Sequence, residues 1–227
     1  MIRNLKALGL VLGAVFAFSA MAASSASAID TFTVAGGGSV GVSGVSHNNV
    51  FKITGPEAKV ECTTSTFSGT VTSGAKEATI TPTYIGKIGE TPNHGVPCTS
   101  VPGSSTIDMN GCDYDLTGST TGSDISQSDA TVWITCNGSP NEIFITNSTG
   151  LTLKIPGQTP TSGGVTYVNN ADGTMTVNAT STGITYTCES AFLCGLAGIA
   201  TEGNTADYNG SVTVAGAGGK AISWSAS

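Results

Sequence analysis

Three runs between residues 151 and 188 alternate apolar and polar residues with a period of two. Leu151, Leu153 and Ile155 share one face, with Thr152 and Lys154 between them. Met175, Val177 and Ala179 repeat the pattern, as do Ile184, Tyr186 and Cys188. A period of two fits a strand with one buried face and is incompatible with an amphipathic helix. Val132-Trp133-Ile134-Thr135-Cys136 and Glu142-Ile143-Phe144-Ile145 are more apolar and read as central strands. Trp133 falls out of phase with Val132, Ile134 and Cys136, so it is expected to face outward or into a second layer.

Turn signals separate these runs: Asn137-Gly138-Ser139-Pro140, Ser148-Thr149-Gly150 and Asp172-Gly173. VTYVNNADGTMTVNAT reads as a β-hairpin about Asp172-Gly173. Only Glu189 to Ile199 offers a short helical turn. The fold class expected is all-β, as an antiparallel β-sandwich, with a β-barrel or two small β subdomains divided near residue 120 as alternatives. Phe67 to Thr72 followed by Ala78 to Thr81 is echoed by Tyr208 to Thr213 followed by Ala221 to Trp224, the pattern either of a duplicated hairpin or of chance similarity among Thr- and Gly-rich strands.

The first 28 residues form three zones. Arg3 and Lys6 supply positive charge, Ala7 to Phe18 is apolar, and Ala26-Ser27-Ala28 is a small-x-small cleavage site. This is the pattern of a secretory signal peptide cleaved after Ala28, leaving residues 29–227 as one exported domain. The apolar run is short for a membrane span, and no later stretch is long enough. The formal net charge of −7 becomes −9 without Arg3 and Lys6, and no arginine remains. That excludes nucleic acid as a partner, because neutralising phosphates takes clustered Arg and Lys. Six cysteines fit an oxidising compartment.

HNNVFKITGPEAKVECTTSTFSGT, ATITPTYIG, STIDMNGCDYDL, LKIPGQTP with VTYVNN, FLC and YNGSVTV follow in order. Together they resemble a family of uncharacterised secreted, disulfide-containing β-rich proteins that occurs as many paralogues in soil actinobacteria. The resemblance runs from about residue 45 over most of the chain. It implies export and disulfides and brings no activity with it. In the family pattern TPTY is closely followed by Gly-Cys. Here Lys87 stands near that place, and Cys98 comes after an apparent insertion, IGETPNHGVP. The family carries a cysteine at about Leu151, a plausible partner for the one matching Cys194; Leu151 cannot serve, and Cys188 looks like an addition.

Six cysteines permit fifteen pairings. The expected set is Cys62–Cys98, Cys112–Cys136 and Cys188–Cys194. The spacings match neither a tetrahedral zinc site nor Cys-x-x-Cys, so no metal or other cofactor is expected.

Other constellations carry less. Gly37-Gly38-Ser39-Val40-Gly41 matches Gly-x-Ser-x-Gly but lacks the strand-to-helix setting of a nucleophile elbow. Gly36, Gly38 and Gly41 match a dinucleotide fingerprint with no helix to complete it. His47 and His94 read as loop and turn residues, and Asp124 and Asp129 lack a calcium-loop pattern. The Asn-x-Ser/Thr sites at Asn137, Asn147, Asn178 and Asn209 read as turns. No catalytic set assembles. The ligand-contacting candidates are Trp133, Tyr114, Asp113 and Asp115, an aromatic platform with flanking carboxylates. The function expected is a non-catalytic envelope or extracellular interaction protein. A carbohydrate- or small-ligand-binding module is the alternative and a secreted hydrolase the third, with a glycan or envelope protein as the partner class.

Overall fold

A computed structural model describes residues 31–46, 48–53, 58–84, 98–100, 103–117, 132–138, 141–160 and 162–225. The leader, both histidines, Lys87, Asp124, Asp129 and the segment around residue 120 lie outside the described residues. The strands in chain order begin with β1 (Thr31–Val34), β2 (Ser39–Ser46), β3 (Asn49–Ile53), β4 (Ala58–Cys62), β5 (Ser65–Thr72) and β6 (Glu77–Tyr84). Next come β7 (Cys98–Ser100), β8 (Ser104–Asp108), β9 (Cys112–Thr117), β10 (Val132–Cys136) and β11 (Glu142–Asn147). The last are β12 (Thr152–Pro156), β13 (Ser162–Asn169), β14 (Met175–Cys188), β15 (Glu202–Gly216) and β16 (Ile222–Ser225), with a helix α1 (Ala191–Leu196) between β14 and β15.

The all-β antiparallel class holds, and the architecture departs from a plain sandwich. Eight strands close on themselves in the order β3-β4-β7-β8-β11-β12-β14-β15, since β15 pairs with both β14 and β3. Outside this barrel the same two long strands continue into an open sheet, β13-β14-β15-β2-β5-β6-β9-β10. β14 has 14 residues and β15 has 15, long enough to serve the barrel with one end and the open sheet with the other. The changeover coincides with register shifts between Ser181 and Tyr186, at Gly183. Gly183 has φ +71°, the left-handed conformation that a bulge residue often takes and that a side chain disfavours.

Each half has its own core. The barrel interior holds Phe51, Ile53, Ile145, Leu153, Ile184 and Tyr186. The concave face of the open sheet holds Val42, Phe67, Val71, Ile80, Met175 and Val177. The two-stranded sheet β1–β16 covers the second core with Phe32 and Trp224. Trp224 stacks on Tyr167 with ring centroids 4.7 Å apart. Its backbone is clamped by Asn169, which accepts from Trp224 N at 2.9 Å and donates to Trp224 O at 2.7 Å.

The structure differs from the sequence expectations at three places. β10 is the end strand of the open sheet, paired with β9 on one side and, among the described residues, bridged on the other from Ile134 to Gln158. The proposed duplicated hairpin is real at β5–β6, but β15 and β16 lie in different sheets. Asn178 and Asn209 sit within β14 and β15, whereas Asn147 does make a turn, its Oδ1 accepting from the backbone N–H groups of Thr149 and Leu151. The Asp172-Gly173 hairpin joins β13 and β14 as read.

The disulfides are Cys62–Cys98, Cys112–Cys136 and Cys188–Cys194. The first joins β4 to β7, and the second joins directly opposed residues of β9 and β10. The third ties the end of β14 to α1, whose N-cap is Ser190. Six half-cystines in three bridges indicate an oxidising location.

Candidate functional site

The four candidates lie on β9 and β10, and strand alternation divides them between two faces. Val132 and Ile134 are buried in the core, which turns Trp133 outward at 44% exposure. Trp133 stands opposite Asp115, and Thr135 opposite Asp113. On the other side of β9, Thr79 of β6 is opposite Asp115. One outer face therefore carries the indole, both carboxylates and a row of threonines.

The carboxylates are held by those threonines. Asp115 Oδ1 accepts from Thr79 Oγ1 at 2.6 Å and its Oδ2 from Thr135 Oγ1 at 2.5 Å. Asp113 Oδ1 accepts from Thr81 Oγ1 at 2.6 Å. The ion pairs of Lys59 with Glu61 on β4 and of Lys154 on β12 with Glu189 after β14 involve other elements. Each of these three carboxylate oxygens retains a lone pair beyond its threonine bond, so the face offers acceptors beside an aromatic platform. The hydroxyls extend onto β5, where Ser68 is opposite Thr81 and Thr70 opposite Thr79.

Tyr114 does not belong to this face. It points inward between the two cores and joins Tyr84 and Tyr208, residues that sequence reasoning left out of the site. Tyr84 Oη lies 3.0 Å from Tyr114 Oη and donates to Tyr208 Oη at 3.5 Å. Tyr208 donates to Asn49 Oδ1 at 2.7 Å, and Asn49 Nδ2 donates to Ser46 Oγ and Ser65 Oγ at 2.9 and 3.0 Å. Burial pushes Tyr114 up to about 12, and burial with the neighbouring phenols raises Tyr84 well above its usual range. Tyr208 is raised too, chiefly by burial. These are neutral hydroxyls that satisfy each other in the interior, the signature of a structural network. The alternation of Asp113, Tyr114 and Asp115 already carried the signal that separates them.

Ser39 opens β2, with its Oγ 2.8 Å from Thr72 Oγ1, so the Gly-x-Ser-x-Gly match lies in a sheet ladder. Among the described residues no group of three His, Cys, Asp or Glu side chains is placed to hold a metal. Among them, too, no helix is long and apolar enough to cross a membrane.

Fold and face together define a disulfide-stapled, all-β scaffold with an outward aromatic on a hydroxyl- and carboxylate-lined sheet. No family model, curated protein or solved structure matches the chain.

Proposed function

We propose that this chain is an exported, non-catalytic interaction protein of the cell envelope or extracellular space, and that the outer face of β6, β9 and β10 is its contact surface. The observation that carries the reading is the position of Trp133. A large indole is 44% exposed on a rigid strand, pinned by the adjacent Cys112–Cys136 bridge, among oriented hydroxyls. Trp is a residue that proteins usually bury in large part and that binding surfaces concentrate. The three zones of residues 1–28 support export with cleavage after Ala28.

A glycan partner is the second reading, and the same face favours it. A sugar ring presents C–H groups that lie on an aromatic plane and hydroxyls that donate to carboxylates. Trp133 supplies the plane, and Asp113 and Asp115 supply acceptors already aimed by Thr81, Thr79 and Thr135. A glycan array probed with the wild-type protein and with Trp133→Ala tests this. Saturable binding that Trp133→Ala abolishes supports a glycan-binding face. Absence of binding by either protein removes the glycan and leaves an envelope protein as the partner class. Covalent labelling of Ser39 by a serine-hydrolase probe contradicts the non-catalytic reading.

A further inference from the structure

β10, which carries Trp133, is a strand of five residues at the end of the open sheet. Its far edge meets Gln158, a half-buried residue in the connection from β12 to β13. Ile134 N donates to Gln158 O at 2.9 Å, and Gln158 N donates to Ile134 O at 2.8 Å. Among the described residues no strand pairs with that edge.

The side chain of Gln158 turns to β14. Its Oε1 accepts from Thr185 N at 2.6 Å, and its Nε2 donates to Thr185 O at 2.9 Å. Nε2 also donates to Pro156 O at 3.1 Å, which uses its second proton. Thr185 is available because β13 pairs with β14 as far as Thr182 and β12 pairs with it from Thr187. The side-chain amide takes the place of a strand residue in the gap between them. One residue thus pairs with two strands, β10 through its backbone and β14 through its side chain. Through it the last strand of the open sheet is brought back to the second.

The consequence falls on Trp133. The Cys112–Cys136 bridge fixes one end of β10. Trp133 lies three residues from that bridge and next to Ile134, where Gln158 holds the strand from the side that β9 does not reach. We propose that Gln158 is the positioning residue of the outer face: acting through β10, it holds the Trp133 indole at a fixed angle to Asp113 and Asp115. The proposal rests on the reading of that face as the contact surface, and a binding residue is held in its productive orientation by hydrogen bonds in the shell behind it. Glutamine suits the place because one group presents an acceptor to an N–H and a donor to a C=O. Leucine, of similar size, has neither. An ionised glutamate has two acceptors, one of which would meet the Thr185 carbonyl.

The test uses the oxidised protein in a Trp224→Phe background, which leaves Trp133 as the indole that reports. Backbone amide exchange and time-resolved anisotropy of Trp133 are measured for Gln158→Leu and Gln158→Glu. Thr185→Val is the control, since Gln158 bonds the backbone of Thr185. Gln158→Leu is expected to speed exchange at Ile134 and Thr185 about tenfold or more and to add a fast component to the anisotropy decay, with the amides of β2 and β5 unchanged. Gln158→Glu is expected to fall between Gln158→Leu and wild type, and Thr185→Val to match wild type. Both changes are required in Gln158→Leu, or in Gln158→Glu if Gln158→Leu does not fold; absence of either overturns the proposal. Acceleration spread evenly over β2 and β5 overturns it as well, as does failure of both variants to fold, because Gln158 then serves the whole scaffold and not the position of Trp133. These readouts need no partner. They therefore separate failure of this proposal from failure of the contact-surface reading, which shows as partner binding that leaves Trp133 open to quencher.

Discussion

The two tryptophans occupy opposite environments, and their substitution separates contact from core. Trp224 is 3% exposed in an aromatic cluster, so Trp224→Ala should destabilise by about 3–5 kcal/mol. Trp133 is 44% exposed, so Trp133→Ala should cost less than about 1 kcal/mol while removing ligand contact. Denaturant titration of both variants measures the contrast. The tyrosines make a second prediction. Tyr84, Tyr114 and Tyr208 hold their protons more tightly folded than unfolded. Above pH about 10 the unfolded chain loses phenolic protons that the native state keeps, so stability falls with rising pH there and is unaffected by these groups below it. Melting temperature between pH 8 and 11, with phenolate absorbance followed alongside, checks the sign. A Tyr84→Phe variant that keeps the fold should flatten the decline. At this scale the turn of Trp133 away from Val132 and Ile134 was legible, because alternation decides it, but whether it meets solvent or a second layer was not. The grouping of Tyr114 with Asp113 and Asp115 ignored the same rule, since adjacent strand residues point to opposite faces.

Among the elements, β14 and β15 decide the architecture. Each pairs with different neighbours along its length, and Gly183 marks the place where β14 passes from open sheet to barrel. A β-branched residue at φ +71° is strained, so Gly183→Val should cost about 1–2 kcal/mol and Gly183→Asn less, by thermal unfolding. Gly210 is constrained differently. A Cβ there would run into the Tyr208 hydroxyl and the Asn49 amide oxygen, so Gly210→Ala should disturb the tyrosine network itself. The strands of residues 151–188 were legible from their period, and so was the hairpin at Asp172-Gly173. Barrel closure was not, because a period of two says which face is buried and nothing about which strand lies alongside. The pairings of β15 with β2 and β3 join residues more than 150 positions apart. β10 misled for a related reason. Its apolar Val132 and Ile134 face a core while its far edge, among the described residues, carries a bridge and no strand, and composition reports the first property only.

For the molecule as a whole, the disulfides hold strands that backbone pairing holds weakly. β7 has three residues and pairs with β4 at two positions, so Cys62–Cys98 secures a thin part of the barrel wall. Loop closure ranks the bridges. The separations of 36, 24 and 6 residues correspond to about 4, 3.5 and 2 kcal/mol. Paired Cys→Ala variants should lose stability in that order, by denaturant titration under oxidising conditions. None of the three alters the charge balance of the chain, in which Asp and Glu outnumber Lys and Arg fifteen to eight. That rigid frame has one consequence for recognition: the face containing Trp133 is preformed and contributes little ordering cost on binding. Whether this face is the contact surface is decided by acrylamide quenching of Trp133 fluorescence in a Trp224→Phe background. Quenching is measured with and without an extracellular partner, polysaccharide or envelope protein, that the protein demonstrably binds. The bound partner is expected to shield Trp133, and Asp115→Asn is expected to weaken both binding and shielding. Full binding with Trp133 quenched as readily as in the free protein would contradict this expectation.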